Sequence, residues 1–466
     1  MINNKLNEML LSYQRKISDD IFDSISGAFS LNKQKCNILN AVTGAGKTVI
    51  LTRILDLIIN SNLGKNKDIC FFWVSNDPNL NEQSRDKIKL HCNTLENNLI
   101  ILDNSNYHED LIDKNIYFLN YQKLNDSSQM VQKRADSNNK SFFDLDFSSK
   151  NIILIIDEAH QGSGEDKNKD TKLRKIINTL NPIAIIGASA TSNQFQQLIS
   201  NEYPNYKLTI NEVDINDVKD SGIIKQKLIN VTLDESSSTE EIINRSLFKS
   251  AINHYIDVCN LWKNIIKTEK NPVFLIQVEK EFNEDKESIS DLLECLFIDT
   301  NNPEYINQNF IYNSFGEGVN LNWNDRKGNT YQIPYIEPNK ISDNEMNKTA
   351  RIILFKESLS EGWDCPNAEV LFSIKTQKKD STITQILGRN IRNPFVGTNI
   401  LDNQSNEIKD KINTVKFYTP NFDANVLKSI VKAFGTDVGH EHVDGSSKKV
   451  VLRKEVLDFF NTNKVT

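Results

Sequence analysis

Short apolar runs alternate with polar turns and with stretches whose apolar positions recur at helical spacing. Residues 36–39, 69–74, 99–102, 116–119, 152–156 and 182–186 read as strands. Residues 6–29 and most intervals between the strands read as helices, although the polar stretch 126–150 reads as a loop. The near-continuous apolar character of 69–74 suits a strand covered on both faces of a parallel sheet. The rhythm breaks over 203–218 and then resumes. A helix over 240–267, strands over 272–278, 351–355, 370–374 and 415–418, and helices over 286–296 and 382–392 follow, the last stopping before Asn393-Pro394. Residues 301–347 read as irregular or weakly β, and 435 onward as a polar tail with one helix.

Strands alternating with helices predict an α/β protein with mostly parallel sheets. The pattern places one domain in 1–212, a second in 213–434, and in 435–466 a tail or the start of a further domain. A chain of 466 residues is too long for one compact core.

Composition narrows the function only slightly. The net charge of −7, from 55 Lys+Arg against 62 Asp+Glu, argues against a wholesale basic coat. It leaves room for a local basic channel. The six cysteines lack metal-ligand spacing and read as reduced, buried thiols. His440 and His442 have no Cys or further His beside them and read as tail rather than metal site. There is no apolar run of signal-peptide or membrane-spanning type, so a cytoplasmic location is expected.

Three polar clusters fall at carboxyl ends of expected strands, where ligands of open α/β sheets bind. The first is Ala41-Val42-Thr43-Gly44-Ala45-Gly46-Lys47-Thr48, between a strand and a helix. Such a loop aims backbone N–H groups and a helix dipole at a polyphosphate. Lys47 would reach the β- and γ-phosphates, and Thr48 would hold Mg²⁺. The pattern usually begins with Gly, and Ala41 departs from it. The second is Asp157-Glu158, an acidic pair on the most apolar strand. Asp157 suits a Mg²⁺ ion, and Glu158 suits the attacking water. The third, Ser189-Ala190-Thr191, is equally a turn or cap when taken by itself.

Further along, Gln385, Arg389 and Arg392 share one helical face, as arginine fingers for a γ-phosphate would. Glu361-Gly362-Trp363-Asp364 offers either a tight turn or a carboxylate, Asp364, at a nucleotide cleft. Tyr13-Gln14 on a helix face carries little by itself.

In this order the clusters resemble motifs I, II, III, V and VI of superfamily 2 helicases of the DEAH-box type, with Asp157-Glu158-Ala159-His160 as the box. Ala41 is compatible with that superfamily. Tyr13-Gln14 is similar to its adenine-reading Gln motif, which assigns Gln14 to ATP. Residues 75–83 and Asn120-Tyr121-Gln122 resemble the backbone-contacting motifs Ia and Ib, and 272–278 resembles motif IV. Ser221-Gly222-Ile223-Ile224-Lys225, residues 361–366 and residues 385–394 are most similar to the helicase part of type III restriction enzyme Res subunits.

The resemblance implies two tandem RecA-like P-loop NTPase domains that bind ATP and Mg²⁺. It also implies a motor that hydrolyses ATP to translocate on or remodel DNA. Lys378 and Lys379 are candidates for the nucleic-acid path. An RNA helicase, or a nucleotide-switched subunit that recruits a nuclease or methyltransferase without unwinding, remains open. Full Res subunits carry a nuclease after the motor. No Pro-Asp…Asp/Glu-x-Lys arrangement occurs in the tail, so DNA cleavage by this chain alone is not expected.

Overall fold

The computed structural model describes residues 5–42, 44–76, 78–125, 127–131, 140–159, 167–190, 192–233, 240–278, 292–296, 304–315, 318–325, 328–341, 348–356, 365–374, 387–388, 390–396, 398–419 and 437–443, some of them as backbone alone. The chain divides into two compact units, Met1–Ser221 and Gly222–Thr466.

Seven strands form the sheet of the first unit: β1 (Lys35–Asn40), β2 (Ile69–Ser75), β3 (Leu99–Ile101), β4 (Ile116–Asn120), β5 (Asn151–Asp157), β6 (Ala184–Ser189) and β7 (Lys207–Glu212). Their order is β3-β4-β2-β5-β6-β1-β7, and every pair is parallel. Parallel neighbours need crossovers. The helices are α1 (Lys5–Met9), α2 (Ser12–Leu31), α3 (Lys47–Asn60), α4 (Asn62–Asn66), α5 (Pro78–His91), α6 (Lys167–Leu180), α7 (Asn193–Glu202) and α8 (Ile215–Asp220). β2 and β6 are buried along their whole length, as their apolar runs predict.

Two features of this unit differ from the sequence reading. β7 continues the sheet through the stretch where the rhythm breaks. It is a half-exposed edge strand paired with β1, so it needs no apolar run. The expected loop 126–150 also supplies core. Phe142 and Phe147 stand edge-on to Phe72, at centroid distances of 6.4 and 5.7 Å. Aromatics scattered in a polar stretch leave no period to read.

The second unit also has a seven-stranded sheet. Its members are β8 (Lys227–Leu233), β9 (Val273–Gln277), β10 (Ile311–Ser314), β13 (Ile352–Phe355), β14 (Ala368–Ser373), β15 (Thr414–Tyr418) and β16 (Asp437–Val443). The order is β10-β13-β9-β14-β15-β8-β16, again parallel throughout. The helix α9 (Glu240–Asn260) sets Phe248 and Tyr255 against Phe274, and Phe248 also against Phe372. β10 and the antiparallel hairpin of β11 (Leu321–Asn324) and β12 (Thr330–Ile333) lie inside 301–347, the stretch expected to be irregular or weakly β. Trp323 and Tyr331 pack together across the hairpin. β16 lies in the expected tail, where its backbone extends the sheet beside β8. The helix α10 (Asn406–Ile412) begins on a Ser405 cap, its side chain accepting from Ile408 N.

All six cysteines are free and buried. No helix among the described residues is long and apolar enough to cross a membrane, and none of their acidic, His and Cys side chains cluster at metal-binding spacing. The expected helix over 286–296 lies mostly outside the described residues, as do most of 382–392 and Lys378 and Lys379.

Candidate nucleotide site

The order of the first sheet collects its polar clusters on one edge. β6 lies between β5 and β1. Asn40 is opposite Ser189, and Ala188 is opposite Asp157. Next along the edge, Ser75 at the end of β2 is opposite Asn120 at the end of β4. The ends of β4, β2, β5, β6 and β1 thus form one continuous row of polar residues.

The loop after β1 turns on glycine. Gly44 and Gly46 have φ of +91° and +83°, which side chains rarely tolerate. A Cβ at Gly46 would also fall 2.4 Å from Gln14 Nε2. Ala45 N donates to Val42 O, Ala41 N donates to Ser189 O, and α3 then begins at Lys47. Free N–H groups and the dipole of a 14-residue helix therefore lie at the end of this loop. Thr43 lies outside the described residues.

Lys47 Nζ donates to Ala41 O at 3.4 Å and lies 3.7 Å from Glu158 Oε1. The Lys47 and Glu158 side chains are one-tenth and about a quarter exposed, so the pair is partly sheltered yet reachable. Glu158 has a left-handed φ of +52°, an uncommon backbone state for a residue other than glycine. Its N–H donates to Asp157 Oδ1 at 3.1 Å. Burial first, and Glu158 beside it, push the Asp157 carboxyl up to about 6, while Lys47 opposes the shift.

A buried carboxyl that resists ionising is suited to a divalent cation, which would favour the charged form. The donor set is of the hard, oxygen type that Mg²⁺ takes. Asp157 and the hydroxyl of Thr48, on the first turn of α3, would hold the ion. It would neutralise phosphate charge there.

The Gln14 side chain is buried, and its amide is engaged at both ends. Oε1 accepts from Leu11 N at 3.1 Å, and Nε2 donates to Ala45 O at 3.1 Å. Tyr13 donates its hydroxyl to the same carbonyl at 2.8 Å, and burial pushes that phenol up to about 12. In this structure the Tyr13-Gln14 pair therefore braces the phosphate loop. Sequence reasoning gave Tyr13 almost no weight, because nothing local announces a contact 32 residues away.

Sequence reasoning also missed Asn40. With its amide oriented to satisfy both groups, Asn40 donates to Ser189 O at 3.3 Å and Ala190 O at 3.2 Å, tying the loop strand to the third cluster. His160 and Thr191 lie outside the described residues.

In the second unit three strands end in a similar row. Phe355, Gln277 and Ser373 end β13, β9 and β14 at one register level. Ser373 Oγ donates to Gln277 Oε1 at 2.8 Å, and Gln277 Nε2 donates to Lys356 O at 3.3 Å. The stretches 357–364 and 375–386 follow two of these strand ends. Asp364, Gln385 and Arg389 lie outside the described residues. Arg392 is described: it is half-buried, and burial lowers its guanidinium to about 10, still charged at neutral pH.

Residues 7–194 match the family model described as "Type III restriction enzyme, res subunit". No curated protein sequence matches the chain. Among solved structures, S. cerevisiae Dbp5 bound to RNA and ADP BeF3 is similar over 98% of this chain and 99% of its own, with 13% identity and a TM-score of 0.50. A fragment described as the HsdR subunit of a type I restriction enzyme from Vibrio vulnificus is similar over 94% of this chain and 70% of its own, with 16% identity and a TM-score of 0.51. At such identities the likeness is one of fold, two tandem RecA-like units.

Proposed function

We propose that the chain is an ATP-driven motor on DNA, a superfamily 2 helicase relative of the type III restriction enzyme Res subunits, whose family model matches residues 7–194. The observation that carries this reading is the row of strand ends. It sets the Gly44–Gly46 turn, Lys47, Asp157, Glu158 and Ser189 on one edge of one sheet. In the proposed reaction Lys47 and the loop N–H groups bind the phosphates of ATP. Thr48 and Asp157 hold Mg²⁺, and Glu158 takes a proton from the attacking water. Gln385, Arg389 and Arg392 would stabilise charge on the γ-phosphate, and Asp364 would face the nucleotide. Gln14 holds the loop carbonyl, and base reading by Gln14 would require that bond to exchange.

The strand ends of β2 and β4, with Ser75 Oγ donating to Asn81 Oδ1 at 2.9 Å, are the proposed nucleic-acid side of this unit. The Res relation supports DNA as substrate and a methyltransferase or nuclease subunit as partner, in a role such as phage defence. RNA is the alternative substrate, supported by the RNA bound in Dbp5. Measuring ATP turnover with duplex DNA, single-stranded DNA and RNA separates the two. Stimulation by RNA alone would overturn the DNA assignment, and turnover unaffected by any nucleic acid would overturn the motor. ATP-dependent binding without strand displacement or translocation would leave only a nucleotide-switched subunit.

A further inference from the structure

Ser221-Gly222-Ile223-Ile224-Lys225 carries the chain from the first unit into the second. Inside the second unit residues 223–225 pair with residues 391–393. Lys225 N donates to Ile391 O at 2.6 Å, and Asn393 N donates to Ile223 O at 3.0 Å. Ile224 and Arg392 are thereby partners in an antiparallel bridge. Ile224 and Ile391 are fully buried, so water competes poorly for these bonds. Ile391 N in turn donates to Leu387 O, which closes the helical turn ahead of Arg392.

The Lys225 side chain ends in the core of the unit. Its Nζ lies 2.6 Å from Glu369 Oε2, with the two side chains 0% and 4% exposed. Glu369 occupies the bulge of β14, where the pairing with β9 slips between Ala368 and Val370. A bulge re-aims a side chain. This one removes Glu369 from the regular alternation of a wholly buried strand and sets its carboxylate against Lys225. Burial raises the Glu369 carboxyl, and Lys225 holds it down. Apolar residues of similar volume would stabilise such a site as well or better. Stability alone therefore gives no account of a lysine, a glutamate and a bulge brought to one point.

We propose that Lys225 and Glu369 are positioning residues. Their ion pair fixes the backbone at 223–225, and the bridge passes that geometry to 391–393, so that the Arg392 guanidinium is set for the γ-phosphate. The inference rests on the reading of Arg392 as a γ-phosphate group. Displacement of such a group by about 1 Å is enough to slow a reaction by roughly two orders of magnitude while leaving ground-state binding largely intact.

The test uses the full chain and the variants Glu369→Asp and Lys225→Met, with two readouts. The first is amide hydrogen exchange. In Glu369→Asp, which keeps both charges and shortens the reach, residues 223–226 and 387–396 should exchange about tenfold faster, with 273–277 unchanged. The second is steady-state ATP turnover. In the same variant kcat should fall about tenfold or more while KM for ATP stays within about twofold. Exchange at 387–396 equal to wild type overturns the proposal, and so does an unchanged kcat. Should Lys225→Met not fold, Glu369→Asp alone decides. Should the wild-type chain hydrolyse no ATP, the proposed function fails by itself, and the exchange pattern still decides whether the pair holds 391–393.

Discussion

Glu158 Oε1 stands 3.7 Å from Lys47 Nζ, held there on a left-handed backbone at the end of β5. In the proposed reaction the two groups would act from different sides, Lys47 on phosphate and Glu158 on the attacking water. Glu158→Gln keeps the size and loses the base. Hydrolysis should fall by roughly 10²–10⁴-fold, the range for a lost general base. Binding of ATP should change far less. Single-turnover hydrolysis beside nucleotide binding checks this, and equal losses in both would contradict it.

Asp157 makes the site sensitive to pH. Its carboxyl ionises at 3.8 ordinarily and near 6 in the folded chain. Between those values the folded chain holds the extra proton, so this group's contribution to stability falls as pH rises through the window. The deficit persists at neutral pH. Asp157→Asn should therefore raise stability at pH 7, by on the order of 1–3 kcal/mol, with the gain closing near pH 4. The same variant should lose hydrolysis. In the wild type, kcat/KM for ATP should rise with pH through about 6, as the carboxyl becomes free to hold a cation. Denaturant unfolding at the two pH values and a pH–rate profile test both statements.

Gly46→Ala should impair the loop twice over. The new methyl meets Gln14 Nε2, and the φ of +83° is strained for alanine in any space. A loss of about 1–3 kcal/mol of stability is expected, with weakened ATP binding. Adding Gln14→Ala removes the collision but not the strain, so the double variant should stay below wild type in stability. Full recovery would mean that the collision was the whole effect.

Tyr13→Phe removes one of two donors to Ala45 O. It should cost about 1 kcal/mol of stability. KM for ATP should rise several-fold with little change in kcat, because the loop geometry bears on binding before chemistry. Titration with a fluorescent ATP analogue measures the effect directly.

The parts of the fold that were readable in the sequence were those whose signal is local. β2, β5 and the stretch from β1 to α3 announce themselves through unbroken apolar runs and a Gly-bearing loop. β7 and β16 did not, because an edge strand is specified by the partner it pairs with rather than by its own apolar content. The short β10 and the β11–β12 hairpin were obscured by the polar residues around them. At the candidate site, residue types and spacing pointed to Lys47, Thr48, Asp157 and Glu158, which the structure brings to one sheet edge. The partners of Tyr13, Asn40 and Lys225 lie 32, 149 and 144 positions away in sequence (13 to 45, 40 to 189, 225 to 369), and no period or motif reaches that far. Gln14 shows the difference most clearly. The resemblance to the Gln motif implies a base reader, and in this structure its side chain bonds to Leu11, Tyr13 and Ala45.

This row of residues is proposed to hydrolyse ATP in response to nucleic acid. The most direct measurement is steady-state ATP turnover by the wild type and by Lys47→Ala, each with and without duplex DNA. Duplex DNA should raise turnover about tenfold or more in the wild type, and the variant, lacking the charge proposed to reach the phosphates, should show none above background. Equal turnover by the two proteins, or a wild type that no nucleic acid stimulates, would contradict this proposal.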